Sequence, residues 1–161
     1  MSTLLPYSFT NQENIFHFTT DNGIYYNIEF SDASYYFVNF PPYLSVYEFN
    51  IKVIQIGEPI APPQDKKVEL TIVSILEDFF TTHTNSILYI CDNTDQRHHA
   101  RNRKFDSWFK NSNNTNLEKH DNHFFIESIE IFSSLILHVS NPYKQELINL
   151  FMNQPNELGK D

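Results

Sequence analysis

The chain predicts an α+β fold: a mixed, largely antiparallel sheet in which an N-terminal β-meander precedes β-α-β-α-β-β-α, with helices mostly on one face. Three observations predict it. Period-two alternation dominates the first third, where Ile24, Tyr26, Ile28 and Phe30 share one face opposite Tyr25, Asn27 and Glu29. The continuous apolar run Ile87-Leu88-Tyr89-Ile90-Cys91 has the pattern of a central strand covered on both sides. Between these, Val68, Ile72, Ile75, Leu76, Phe79 and Phe80 recur at helical spacing.

Taken in order, Asn14-Ile15-Phe16-His17-Phe18 alternates as a strand. Asp21-Asn22-Gly23 joins it to the next through residues that tolerate positive φ. Tyr35-Tyr36-Phe37-Val38 reads as a further strand. Tyr47, Phe49, Ile51 and Val53 alternate with Glu48, Asn50 and Lys52 as a long half-buried one. Pro59, Pro62 and Pro63 mark residues 56–66 as an exposed connection. After the first helix and the covered strand, a second helix spans residues 94–110, and Asn111–Asn116 is a polar loop. Two strands follow near 123–131 and 135–140, parted by Ser133-Ser134. Asn141 caps a last helix with Pro142 in its first turn and an inner stripe of Tyr143, Leu147, Leu150 and Phe151. A long strand, a helix and a covered strand imply a right-handed crossover and at least one parallel pair. The expected organisation is one domain, residues 1–154, with a flexible tail at 155–161.

Composition bounds the function. An apolar fraction of 40% and an aromatic fraction of 16% describe a folded chain. A net charge of −9 opposes unaided, non-specific attachment to a polyanion. With one cysteine, Cys91, no internal disulfide framework exists, and a reducing, cytoplasmic setting is expected. The opening residues lack the basic and apolar regions of a secretory signal. No apolar run reaches the roughly 18 residues of a membrane span, and the sequon Asn113-Asn114-Thr115 is therefore expected to stay unmodified. Gly23, Gly57 and Gly159 lie too far apart for a phosphate-cradling or dinucleotide loop. No cofactor is predicted. More than half of the aromatics fall within residues 1–49; cross-strand pairing explains them more simply than a ligand-stacking surface.

The densest chemistry runs from Cys91 to Lys110, where a central strand ends and a helix begins, the usual place for a ligand crevice. Arg97, Arg101, Arg103, Lys104 and Lys110 face only one acid, Asp106, so this helix is basic in an acidic chain. Helical spacing aligns Arg97, Arg101, Lys104 and Trp108, while Phe105, Trp108 and Phe109 turn to the core. A structural explanation competes with a functional one throughout. Asp92 or Asp95 can pair with Arg101, and Asp92 at N-cap with Asp95 in the first turn would complement the helix dipole. Asp106 and Lys110 form an i,i+4 pair on the outer face. The functional reading uses Asp92, Asp95, Arg97, Arg101, Arg103, Lys104 and Trp108 to hold an anion or a partner, the cations gripping phosphate and the indole stacking a base. A metal-assisted hydrolase would use Asp92 and Asp95 for a cation and His98 or His99 as base. Cys91, ending an apolar strand, reads as inert core. His120 and His123 flank Asp121 in what reads as a polar loop leading into a strand; no zinc site is predicted there.

Several stretches resemble a family of small uncharacterised proteins of Bacteroidota bacteria, a domain of unknown function. They are Asp21 to Tyr26, Val68 to Phe80, Leu88 to Asp92, Arg101 to Phe109, and Asn141-Pro142-Tyr143. The resemblance implies a bacterial, cytoplasmic, single-domain protein and carries no catalytic residue with it. The expected function is a non-catalytic binding or regulatory module acting on a protein partner or a second copy of itself. An exposed sheet edge in the first third would offer strand pairing. Nucleic-acid or nucleotide binding through the basic helix is the first alternative, and the hydrolase is the second.

Overall fold

The computed structural model describes residues 4–54, 65–92, 98–111 and 115–158. Its first strands follow from the aromatic alternation. β1 (Thr10–Gln12) turns through Glu13 and Asn14, both at positive φ, into β2 (Ile15–Thr19), the backbone twist that a two-residue hairpin requires. Gly23, at φ 77°, sits in the next turn, where the Thr20 amide donates to the Ile24 carbonyl at 2.9 Å. β3 (Tyr25–Asp32) then pairs antiparallel with β2 and with β4 (Tyr47–Ile54). Phe16, Phe18, Tyr26, Ile28, Phe30 and Phe49 are all buried on one face, as the alternation requires.

The segment Tyr35–Val38 is not a strand. Ser34–Tyr36 forms one 3-10 turn, closed by the Tyr36 amide on the Ala33 carbonyl. Tyr35 and Tyr36 each donate a hydroxyl to Glu48, both at 3.0 Å. Two tertiary hydrogen bonds to β4 override the sheet preference of the aromatic run.

Asp65 caps α1 (Lys66–Phe79) by accepting the Lys67 amide at 2.9 Å. α1 leads to β5 (Ser86–Asp92), which runs parallel to β4 with Tyr47 opposite Ile87 and Glu48 opposite Leu88. Then come α2 (His98–Asn111), β6 (Leu117–Ile126), β7 (Ile129–His138) and α3 (Lys144–Leu158). Strands predicted at 123–131 and 135–140 are in fact 117–126 and 129–138. The turn is Glu127-Ser128, with Glu127 at φ 55°. Ser133 and Ser134 lie inside β7 and are buried; Ser134 donates to Asp121 at 2.7 Å, which accommodates a small polar residue in mid-strand.

The sheet order is β1-β2-β3-β4-β5-β7-β6, antiparallel except at β4–β5. α1 and α2 cover one face, where Ile72, Ile75, Phe79 and Phe105 pack on Phe30, Phe49, Ile87 and Ile136. α3 covers the other, placing Leu147 and Phe151 on Leu88, Leu135 and Leu137. Asn141 accepts the Tyr143 amide at 2.9 Å at the head of α3. β5 is thus enclosed: Ile87 and Leu88 are fully buried and Cys91 is 1% exposed. No helix among the described residues is long and apolar enough to cross a membrane.

Candidate functional site

β5 delivers its C-terminal end to a corner formed by the start of α2 and the β6–β7 hairpin. Asp92 is the last residue of β5, in register with Ile131. Its side chain, that of Arg101, and all of Asp95 and Arg97 lie outside the described residues. So does the capping expected of Asp92 and Asp95.

The described part of α2 divides by side. Phe105 is 3% exposed and stacks on Tyr89 at 4.0 Å between ring centroids. Trp108 and Phe109 are half-buried against the same core. With Ile72, Val73, Leu76, Phe105 and Leu117 they line a crevice of about 10 Å³ between α1 and α2, room for no more than one water. Trp108 is therefore a wall of the helix packing. Lys104 places its ammonium over the indole, 5.2 Å from the centroid, within cation–π range. Of the predicted stripe, Lys104 and Trp108 are thus brought together. Arg103 is exposed, without a partner among the described residues.

Asp106 does more than the expected pairing. It accepts Lys110 at 2.9 Å and also Lys119 of β6 at 2.9 Å, so it faces the sheet as well as solvent. The Lys119 side chain is only 6% exposed and also bonds Asp121, which holds Ser134. Hydrogen bonds from Lys110 and Lys119 hold the Asp106 carboxyl below the ordinary carboxylate range. Glu118 is lowered likewise, by Lys144 at 3.0 Å and then His120 at 3.3 Å.

Two histidines meet at the corner. His99 of α2 and His123 of β6 approach different oxygens of Glu130, at 3.3 and 2.9 Å, so that the carboxylate bridges the rings. Phe132 underlies both, edge-on to His99 and stacked on His123 at 4.4 Å. The sequence reading did not find this group. Its signal is the pairing of β6 with β7, which sets His123 opposite Phe132; starting the strand near residue 123, with His120 to His123 as a polar approach to it, hid the group. His120 and His123 point to opposite faces of β6 and meet different acids. Among the described residues, no three His, Cys, Asp or Glu side chains gather to hold a metal ion.

Beyond this corner, β6 is the last strand of the sheet among the described residues. The edge in the first third, β1, is three residues long. β6, at the opposite end, is ten residues long and pairs only with β7 among the described residues. The Val139 amide donates to the Asn116 carbonyl at 2.8 Å, making that a hydrogen-bonded pair. Alternation then turns the N–H and C=O of Lys119, Asp121, His123 and Phe125 away from β7, toward the open side. At the hairpin tip Phe125 is 64% and Ile129 39% exposed.

Residues 64–153 match the model of a family of unknown function, DUF6169. No curated protein matches the chain.

Proposed function

The chain belongs to the DUF6169 family of unknown function, which brings no activity with it, and we propose that it is a non-catalytic binding module that takes an extended protein segment alongside β6. The observation carrying this reading is the long edge itself, with backbone donors and acceptors directed outward beside an exposed Phe125. Strand addition draws affinity from such main-chain groups and selectivity from alternate side chains. Edges that avoid partners are short, bulged, interrupted by proline or charged. β6 keeps ten consecutive pairs with β7, and its charges are satisfied at home: Lys119 by Asp106 and Asp121, His123 by Glu130.

The test is a photo-crosslinking residue at position 125 in the native host, compared with the same residue at position 10 on β1. Adducts from 125 and not from 10 are expected. Equal yields from both, or none from 125, remove the reading.

A second reading, specific nucleic-acid or nucleotide binding, draws support from Arg103 and Lys104, both exposed on α2, with the Lys104 ammonium over the Trp108 ring. It requires salt-dependent affinity that Arg103→Ala with Lys104→Ala reduces at every sequence tried. Binding indifferent to salt would eliminate it.

A further inference from the structure

Resting on the strand-addition reading, we infer that the segment received by β6 is β6 of a second copy, antiparallel, with the two-fold axis through Asn122. An antiparallel pair keeps like faces together, so residues of equal parity stand opposite one another. The side-chain chemistry then selects among the registers. An axis at Asn122 sets Asp121 against His123 twice and Lys119 against Phe125 twice.

The pairing suits the state of each group. Asp121 uses Oδ1 for Lys119 and Ser134, and its side chain is 62% exposed, leaving Oδ2 to accept. His123 meets Glu130 through Nε2, which leaves Nδ1 as the atom that donates to the carboxylate across the axis when the ring carries both protons. The Lys119 ammonium is already bound to Asp106 and Asp121 and its side chain is only 6% exposed, so the exposed Phe125 ring would stand opposite a neighbour whose charge is satisfied and covered. Neighbouring registers are worse. An axis at Asp121 opposes the two Asp121 carboxylates, and like charges directly opposite destabilise a sheet; one at His123 sets each Asp121 against Phe125, which offers it no donor. An axis at His120 would set Lys119 against Asp121, a contact each chain already makes internally, and would leave Phe125 outside the ladder. About Asn122 every outward N–H and C=O from Lys119 to Phe125 finds a partner without setting two Asp121 carboxylates against each other.

Asn122 then faces its own copy in a non-hydrogen-bonded pair, where Cα atoms stand about 4.5 Å apart, within disulfide reach. Asn122→Cys, oxidised gently, is expected to give a covalent dimer on non-reducing gels, while Thr10→Cys does not. Native Cys91 is 1% exposed and does not compete. Phe125→Lys, which sets a second ammonium against Lys119, is expected to weaken dimerisation at least about tenfold by light scattering. A wild-type monomer at about 100 μM, or equal crosslinking of Asn122→Cys and Thr10→Cys, overturns the inference. Adduct masses from position 125 separate the two readings: twice the chain mass supports a second copy, a heterologous mass keeps strand addition and discards self-pairing, and no adduct discards both.

Discussion

Asp106 shows how one side chain joins two elements. It accepts Lys110 from its own helix and Lys119 from β6, the latter nearly enclosed. Both bonds favour the charged carboxylate, so the folded chain binds that proton less readily than the unfolded chain does. Stabilisation is therefore complete above the ordinary carboxylate pKa of about 4 and is lost as pH falls through the lowered native value. Glu118 contributes with the same sign through Lys144 and His120. Acid unfolding followed by circular dichroism should show a limb below about pH 4 that Asp106→Asn makes shallower. An unchanged limb would refute the role given to Asp106. The sequence disclosed the Asp106–Lys110 half of this arrangement from spacing alone. The Lys119 half depends on which strand lies beneath α2, and no local pattern states that. His99, Glu130 and His123 were hidden for the same reason: they come from three elements and meet only through the register of β6 on β7.

Elements were legible where local pattern and tertiary demand agree. β3, β4 and β5, the turn at Gly23 and the cap at Asn141 follow from alternation, apolar runs and capping chemistry. Tyr35–Val38 misled because aromatic propensity is outbid there by hydroxyl bonds to Glu48. Ser133-Ser134 misled because small polar residues imitate a turn, although Ser134 is satisfied by Asp121 inside the sheet. Gly23 permits a direct test. No atom lies within 4 Å of an added Cβ, so space is not the constraint; φ of 77° is. Gly23→Ala is expected to cost about 1–2 kcal/mol, lowering the melting temperature by roughly 2–4 °C per kcal/mol at this size. A melting temperature equal to wild type would contradict the strained turn.

At the scale of the molecule, two antiparallel blocks, β1 to β4 and β5-β7-β6, meet at one parallel seam. The family match begins at residue 64 and ends at 153, so it takes in the second block with α1, α2 and most of α3 and omits the N-terminal meander. Strand addition at β6 would extend the second block only. If two copies pair there, thermal stability becomes dependent on concentration by mass action: the melting temperature should rise between about 1 and 100 μM for wild type and stay level for Phe125→Lys. A level curve for both would count against association through this edge.

Cys91 is the penultimate residue of the enclosed strand, 1% exposed and facing Phe132 across the β5–β7 ladder. As the chain's single thiol, it makes the native protein its own stopwatch. An alkylating reagent can consume it only as fast as that ladder comes apart, so the labelling rate reads the opening of the innermost strand with no foreign reporter attached.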